Sequence, residues 1–168
     1  QVVDLTLHDP SLALAWLAQR FPNESADALL RLCSGGPLLA EGLLAQGYRQ
    51  LSGEIVGLLK QSVVENKNIL PSVPALVKHD SSLLLRALSG IVSDIVKQLL
   101  GIGQAHLTHV DLVGDYAAML PHLEVNAVQL YFDHVNQAVA QVNSGVHVNL
   151  QLLWERLFVL WRNVGKLR

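Results

Sequence analysis

The stretch NSGVHVNLQLLWERLFVLWRN, residues 143–163, places large apolar side chains on nearly every side of one predicted helix. Asn149 is suited to cap this helix at its start, because its side chain can accept a hydrogen bond from a free backbone N–H. Apolar residues recur at the i, i+3, i+4, i+7 and i+11 positions that face a core. They are Leu150, Leu153, Trp154, Leu157 and Trp161. The closing helix is therefore predicted to enter the core of a helical bundle.

A second group of apolar side chains on this helix points away from that stripe, namely Leu152, Val159 and Leu160. A helix with two apolar faces is either wholly internal or buries one face in its own core and offers the other to a partner. The second alternative makes Leu152, Val159 and Leu160 the candidate interface residues.

The rest of the chain also has the pattern of helices, apart from residues 2–7, which alternate like a short extended segment. Three short helices are expected first, and longer ones with apolar residues at 3.6-residue spacing follow. The predicted fold class is all-α, a short three-helix domain followed by a helical bundle. The short helices are predicted at 10–21, 25–33 and 37–47, and the long ones at 48–65, 81–100, 123–143 and 149–163. Between the second and third long helices, one further short helix is predicted to begin at Thr108 or Asp111 and to end at Pro121.

Two glycines, Gly53 and Gly57, lie four residues apart in the first long helix. Each costs about 1 kcal/mol relative to alanine in a helix interior. Either the close approach of another helix or simple tolerance explains them.

The composition favours protein partners. Charged residues make up 15% of the chain, against about 25% in a typical soluble protein, so part of the surface is expected to be covered. No apolar run approaches the ~18–20 residues that span a membrane, so no membrane association is predicted. Between Gln98 and Glu155 there is no Lys or Arg, which disfavours binding of nucleic acid by that half. The single cysteine, Cys33, is expected to be a buried thiol in a reducing compartment.

The sequence contains no recognisable catalytic, cofactor, metal or small-molecule site. His106 and His109 have a His-x-x-His spacing without a further ligand nearby, which is weak evidence for a metal. The sequence GIGQAH follows a predicted helix rather than a strand, so it is not a dinucleotide fingerprint. The carboxylates are single and are expected along solvent faces, so no paired general acid and base is indicated.

The order of these pieces resembles a known family. DALLRLCSGGPLLAEGLL, LTHVDLVGDYAAML and VNLQLLWERLFVLWRNV are similar to stretches in the C-terminal part of bacterial DNA polymerase III clamp-loader subunits, and more narrowly of the delta-prime subunit. The resemblance covers nearly the whole chain. It implies that residues 1–46 are the end of an AAA+ module with its three-helix lid, and that residues 47–168 are the helical collar.

The resemblance also implies a role. The fragment would be a non-catalytic module without a cofactor, and its collar would join the gamma/tau and delta subunits in the ring that loads the sliding clamp. DNA would be contacted only indirectly, and the location would be the bacterial cytoplasm. A Ser-Arg-Cys motif, which serves a neighbour's ATP site in the family, is expected directly upstream of Gln1.

Two alternatives stay open at the level of sequence. In the ATP-hydrolysing gamma/tau subunits, the third lid helix begins after a glycine turn, and an arginine just after that turn contacts the nucleotide. At the matching place this chain has Pro37, Leu38 and Leu39. That departure favours delta-prime over a gamma/tau-type ATPase fragment. The other alternative is an unrelated all-helical adaptor domain.

Overall fold

A computed structural model describes residues 10–33, 35–145 and 147–165 of the chain. The predicted extended segment 2–7 lies outside these residues. The described part contains nine α-helices and four short 3₁₀ turns, and its only β-type pairing is one isolated bridge between Leu123 and Gly165. The all-α prediction is therefore confirmed.

The helices differ in length, with the shorter ones at the start of the chain. Their bounds are α1 Pro10–Arg20, α2 Ala26–Leu32, α3 Pro37–Ala45, α4 Tyr48–Val64, α5 Val73–Leu76, α6 Ser81–Leu99, α7 Val113–Met119, α8 Val125–Asn143 and α9 Leu150–Arg162. Contacts between residues divide the chain into two compact units, and the division falls between Gly47 and Tyr48.

The first unit consists of α1, α2 and α3, which contact one another pairwise. The Ser25 side chain caps α2 by accepting a hydrogen bond from the backbone N–H of Ala28. Gly35 follows α2 with a φ of +86°, which a residue without a Cβ adopts without strain. Pro37 then takes the first turn of α3, where its missing N–H is not needed. Small and branched side chains form the core: Ala13, Leu17, Ala28, Leu29, Leu32, Cys33, Ala40 and Leu43.

The second unit is organised around α6, which makes its most extensive contacts with α8 and then with α4. Asp80 caps α6 by accepting a hydrogen bond of 2.8 Å from the backbone N–H of Leu83. Apolar residues at helical spacing make α6 a core helix, as predicted. Those buried completely are Leu84, Ala87, Leu88, Ile91, Val92 and Ile95.

The closing helix α9 packs its inner face against α4, α5 and α8. The Asn149 side chain caps it, accepting a hydrogen bond of 3.1 Å from the backbone N–H of Leu152, so the predicted cap is confirmed. Of the predicted core stripe, Leu150 is only half-buried. The buried residues are Leu153, Trp154, Leu157, Phe158 and Trp161. Phe158 is thus a core residue that the stripe omitted, because a helix packed against several neighbours buries a wider face.

The segment between α6 and α8 differs from the sequence prediction of a single short helix that begins at Thr108 or Asp111 and ends at Pro121. The structure instead has a 3₁₀ turn at Val110–Leu112, then α7, then a second 3₁₀ turn at Leu120–His122. Pro121 lies inside that last turn and does not end the helical path there. Pro121 can lie inside this turn because the first turn of a helical segment does not need the N–H that proline lacks.

No helix in the described ranges is by itself long and apolar enough to cross a membrane. One pair, Ala26–Leu32 with Pro37–Ala45, reaches the required length and composition only when it is joined across an 88° bend.

Candidate subunit interface

The outer face of α9 carries two exposed apolar side chains. Leu152 is 61% exposed and Val159 is 47% exposed. They are seven residues apart, and at roughly 100° of rotation per residue they lie on nearly the same line along the helix. The structure therefore brings these two predicted interface residues onto one face.

The third predicted interface residue, Leu160, lies elsewhere. It is eight residues from Leu152, which turns its side chain by roughly 80° towards the core side. Leu160 is accordingly half-buried. The outer face of α9 is completed by polar residues, with Arg156 exposed between Leu152 and Val159.

Sequence reasoning missed a further exposed leucine. Leu130 of α8 is 66% exposed, although its neighbours on that side of the helix are polar. These neighbours are Asn126, Gln129, Asp133 and Gln137. The signal in the sequence was a leucine among polar residues on one helix face. The apolar stripe on the opposite side of α8 is stronger and predicts a single buried face, so it did not indicate Leu130.

These exposed side chains are too few to form a complete interface. A stable protein–protein contact buries about 800 Å² on each partner, and isolated surface leucines are common. Leu152 and Val159 by themselves therefore account for only a small part of such a contact.

Two aspartates pair with basic residues of α4. Both aspartates belong to the segment between Gln98 and Glu155, which has no Lys or Arg. Arg49 contacts Asp111 at 2.9 Å, and Lys60 contacts Asp115 at 2.5 Å. Hydrogen bonding to Asp115 raises the pKa of Lys60. Because all four side chains are about a third exposed or more, each pair contributes little to the free energy of folding.

A buried carboxylate is the main polar feature of the second unit. Asp94 of α6 is fully buried and accepts hydrogen bonds from the backbone N–H groups of Thr108 and His109, at 2.9 and 2.8 Å. It also accepts one from Lys97 at 3.1 Å. The prediction that the carboxylates lie along solvent faces is therefore wrong for Asp94. This side chain fastens the segment that follows α6 to the helix itself.

The His109 ring joins Asp94 to α4. Its Nδ1 lies 3.1 Å from Asp94 Oδ2, and its Nε2 lies 3.0 Å from the hydroxyl of Tyr48. Since an ionised carboxylate can only accept, Nδ1 carries the proton and donates it to Asp94. Burial alone would raise the pKa of Asp94, but the hydrogen bonds from His109 and from the backbone of Thr108 and His109 outweigh it and lower the pKa.

The arrangement of Asp94, His109 and Tyr48 is suited to structure and not to catalysis. All three side chains are at most 4% exposed, so a substrate has no access to them. Both nitrogens of His109 are already engaged. His106 is exposed, whereas His109 is buried. In the described ranges, no three His, Cys, Asp or Glu side chains are grouped to hold a metal ion.

Gly90 of α6 is required by this cluster, and its replacement has a predictable effect. A Cβ at Gly90 would lie 2.6 Å from Cε1 of His109. Because His109 is held at both nitrogens, it cannot move away cheaply. We expect Gly90→Ala to lower the free energy of unfolding by about 1–2 kcal/mol. The overpacking penalty exceeds the gain in helix propensity from alanine, and this figure is the difference between the two. Urea unfolding of the chain measures this.

The matched control is Gly53→Ala in α4. A Cβ there meets no atom within 4 Å, so only the helix propensity changes. The free energy of unfolding should rise by about 0.5–1 kcal/mol. If Gly90→Ala raised the free energy of unfolding as Gly53→Ala should, the packing of His109 against Gly90 would be contradicted.

Comparison with known proteins gives one family. The family described as DNA polymerase III, delta subunit, C terminal, matches residues 55–163, which is well over half of the chain. The match covers most of the second unit, including α6, α8 and α9. No curated protein sequence gives a significant match. The chain therefore belongs to the family of C-terminal domains of the DNA polymerase III delta subunit, and it is part of a clamp loader of DNA replication.

Proposed function

We propose that the chain is the C-terminal part of a delta-prime-type clamp-loader subunit. Residues 1–46 would be the end of the AAA+ module with its lid, and residues 47–168 the collar. The observation that carries this proposal is the outer face of α9, which leaves Leu152 and Val159 exposed although the same helix buries two tryptophans on its inner side. A helix that anchors the fold and also presents apolar side chains is suited to subunit assembly.

The role of the collar would be mechanical. It would hold the gamma/tau and delta subunits in order around the ring, while movements driven by ATP in other modules open the sliding clamp. The low charge of the chain supports this proposal, because a ring subunit buries surface on both of its flanks. DNA would be contacted only indirectly, and the complex would work in the bacterial cytoplasm.

The first turn of α3 favours delta-prime over a gamma/tau-type ATPase subunit. That turn begins at Pro37 and continues with Leu38 and Leu39, both of which are exposed. None of these three residues is a cation that could contact a nucleotide phosphate. The fragment is accordingly proposed to be non-catalytic and to bind no nucleotide. Nucleotide binding by the full-length subunit would favour the gamma/tau alternative.

The double variant Leu152→Asp, Val159→Asp tests the collar interface. Both side chains are exposed, so the free energy of unfolding should change by no more than about 0.5 kcal/mol. Desolvating two carboxylates in an apolar contact should weaken co-assembly with purified gamma/tau and delta by at least about tenfold. Native mass spectrometry of the mixed subunits measures the assembled fraction.

The control is Leu12→Asp, the same chemical change at a leucine of the first unit that is 70% exposed. It should leave assembly through the collar unchanged. If the wild-type chain failed to associate with either subunit, the proposed function would be wrong. If the double variant assembled as well as the wild type, the outer face of α9 would not be the interface.

A further inference from the structure

A shallow groove in the second unit lies between the end of α4, the residues that follow it and the last turns of α9. Ser62, Lys67 and Ile69 line one side, and Phe158, Val159 and Arg162 line the other. Neither the family match nor the proposed collar interface assigns a ligand to this groove. It is continuous with the outer face of α9 through Val159.

Ser62 has a buried hydroxyl without a partner. The side chain is 4% exposed, and its Oγ has no hydrogen bond to any described residue. The other buried serine of α4, Ser52, donates to the backbone oxygen of Tyr48 one turn earlier at 2.8 Å. Buried polar groups in native proteins are normally hydrogen-bonded. The hydroxyl of Ser62 therefore lies below the surface of the groove with its hydrogen-bonding capacity unused.

The two charged residues that line the groove are both basic. Among the described residues that line it, Lys67 and Arg162 alone are charged. Both are exposed, and neither forms an ion pair with a described residue. By contrast, Lys60 and Lys97, which also belong to this unit, each pair with an aspartate. A carboxylate placed between Lys67 and Arg162 would gain two charge-assisted hydrogen bonds.

The floor of the groove is apolar. Ile69 and Phe158 are buried beneath it, while Val159 is exposed at its edge. The Asn68 side chain accepts a hydrogen bond of 3.2 Å from the backbone N–H of Leu70, which holds the rim between α4 and α5 in place. An aliphatic side chain could therefore rest on the floor while a neighbouring carboxylate reaches the cations.

We propose that this groove binds a short acidic and apolar peptide segment of a partner protein. One carboxylate of the segment lies between Lys67 and Arg162, and an adjacent aliphatic side chain packs on Val159. A nucleic-acid ligand fits less well, because a phosphate-binding surface needs more clustered cations than Lys67 and Arg162 provide. Both this proposal and the proposed collar interface use Val159, but peptide binding is measured on the isolated chain and so does not require collar assembly.

The experiment uses the ¹⁵N-labelled 168-residue chain and the blocked peptide acetyl-Leu-Asp-Leu-Glu-Leu-amide. The amide signals of the groove residues should shift when the peptide is added. The dissociation constant should be about millimolar or lower, because the peptide gains one anchored carboxylate and one apolar contact. The matching peptide acetyl-Leu-Asn-Leu-Gln-Leu-amide, which lacks carboxylates, should bind at least about tenfold more weakly.

Three variants locate the binding. Lys67→Gln with Arg162→Gln should weaken binding of the acidic peptide at least about tenfold, whereas Lys78→Gln, at an exposed lysine outside the groove, should not change it. Ser62→Ala should leave binding unchanged and should not lower thermal stability, because the hydroxyl that it removes is buried below the groove and has no partner in the fold.

Three outcomes would overturn the proposal. The first is the absence of amide-signal shifts for the groove residues at the highest soluble concentration of the acidic peptide. The second is equal binding of the acidic peptide and its amide counterpart. The third is a DNA duplex that produces the same shifts and displaces the peptide, which would assign the groove to phosphates.

Discussion

Replacing Trp161 with alanine should lower the free energy of unfolding of the second unit by about 3–5 kcal/mol. Trp161 is completely buried, and its ring lies 5.0 Å from that of Tyr131. Its Nε1 also donates a hydrogen bond of 3.0 Å to the backbone oxygen of Leu59. Because small domains have a total stability of about 5–15 kcal/mol, a loss of this size should populate unfolded chains at moderate temperature. Urea unfolding followed by far-ultraviolet circular dichroism measures it without relying on tryptophan fluorescence.

Two phenylalanine variants separate packing from hydrogen bonding at this site. Trp154 is equally buried, but its Nε1 has no hydrogen-bond partner among the described residues. Trp161→Phe loses a hydrogen bond and Trp154→Phe does not, so Trp161→Phe should be the more destabilising by about 1 kcal/mol. Equal effects of the two phenylalanines would show that the contact between Trp161 and Leu59 contributes nothing. A loss below about 1 kcal/mol for Trp161→Ala would contradict the burial of Trp161 itself.

The helices were largely predictable from the sequence because their signals are local. The start of α9 depends on the capping side chain of Asn149, and its inner face depends on the spacing of Leu153, Trp154 and Leu157. Both properties are written into a short stretch of sequence. The same periodicity indicated that Leu152 and Val159 lie on a different face, and the structure places them in solvent.

Contacts between distant residues were not predictable in this way. Asp94 and His109 are 15 residues apart, and Tyr48 is 61 residues from His109. Nothing in the spacing of these residues indicates that they meet. An aspartate in the middle of an amphipathic helix is normally solvated. The fold buries Asp94 instead, so this expectation was wrong for it. Gly90 was the available signal, since a helix-interior glycine one turn from that aspartate suggests a close neighbour.

The groove beside Ser62 illustrates the same limit. Ser62 and Arg162 are far apart in the sequence and come together only because α9 returns to α4. Periodicity predicted that α9 would pack on the bundle but could not identify its neighbours. Surface features that combine two elements therefore require the structure, whereas features of one helix face do not.

Replacing Asp94 with alanine should lower the free energy of unfolding by about 3–5 kcal/mol at neutral pH. The buried N–H of His109, together with that of Thr108, would lose its acceptor, and the ring of His109 would lose the group that orients it. Asp133→Ala, on the exposed face of α8, is the matched control and should change stability by no more than about 0.5 kcal/mol. Urea unfolding at neutral pH measures both variants.

The dependence on pH distinguishes the charge of Asp94 from its packing. The pKa of Asp94 is lowered in the folded state, so its ionisation stabilises the fold above the unfolded-state pKa of about 3.9. That contribution is lost as the pH falls through the folded-state pKa. The stability difference between the wild type and Asp94→Asn, which keeps the shape of the side chain, should therefore be largest near neutral pH and should shrink below about pH 4. A difference that stayed constant down to about pH 2 would mean that the carboxylate acts only through its shape. A difference that grew on acidification would mean that the folded-state pKa of Asp94 is raised, and that burial outweighs the hydrogen bonds that the carboxylate accepts.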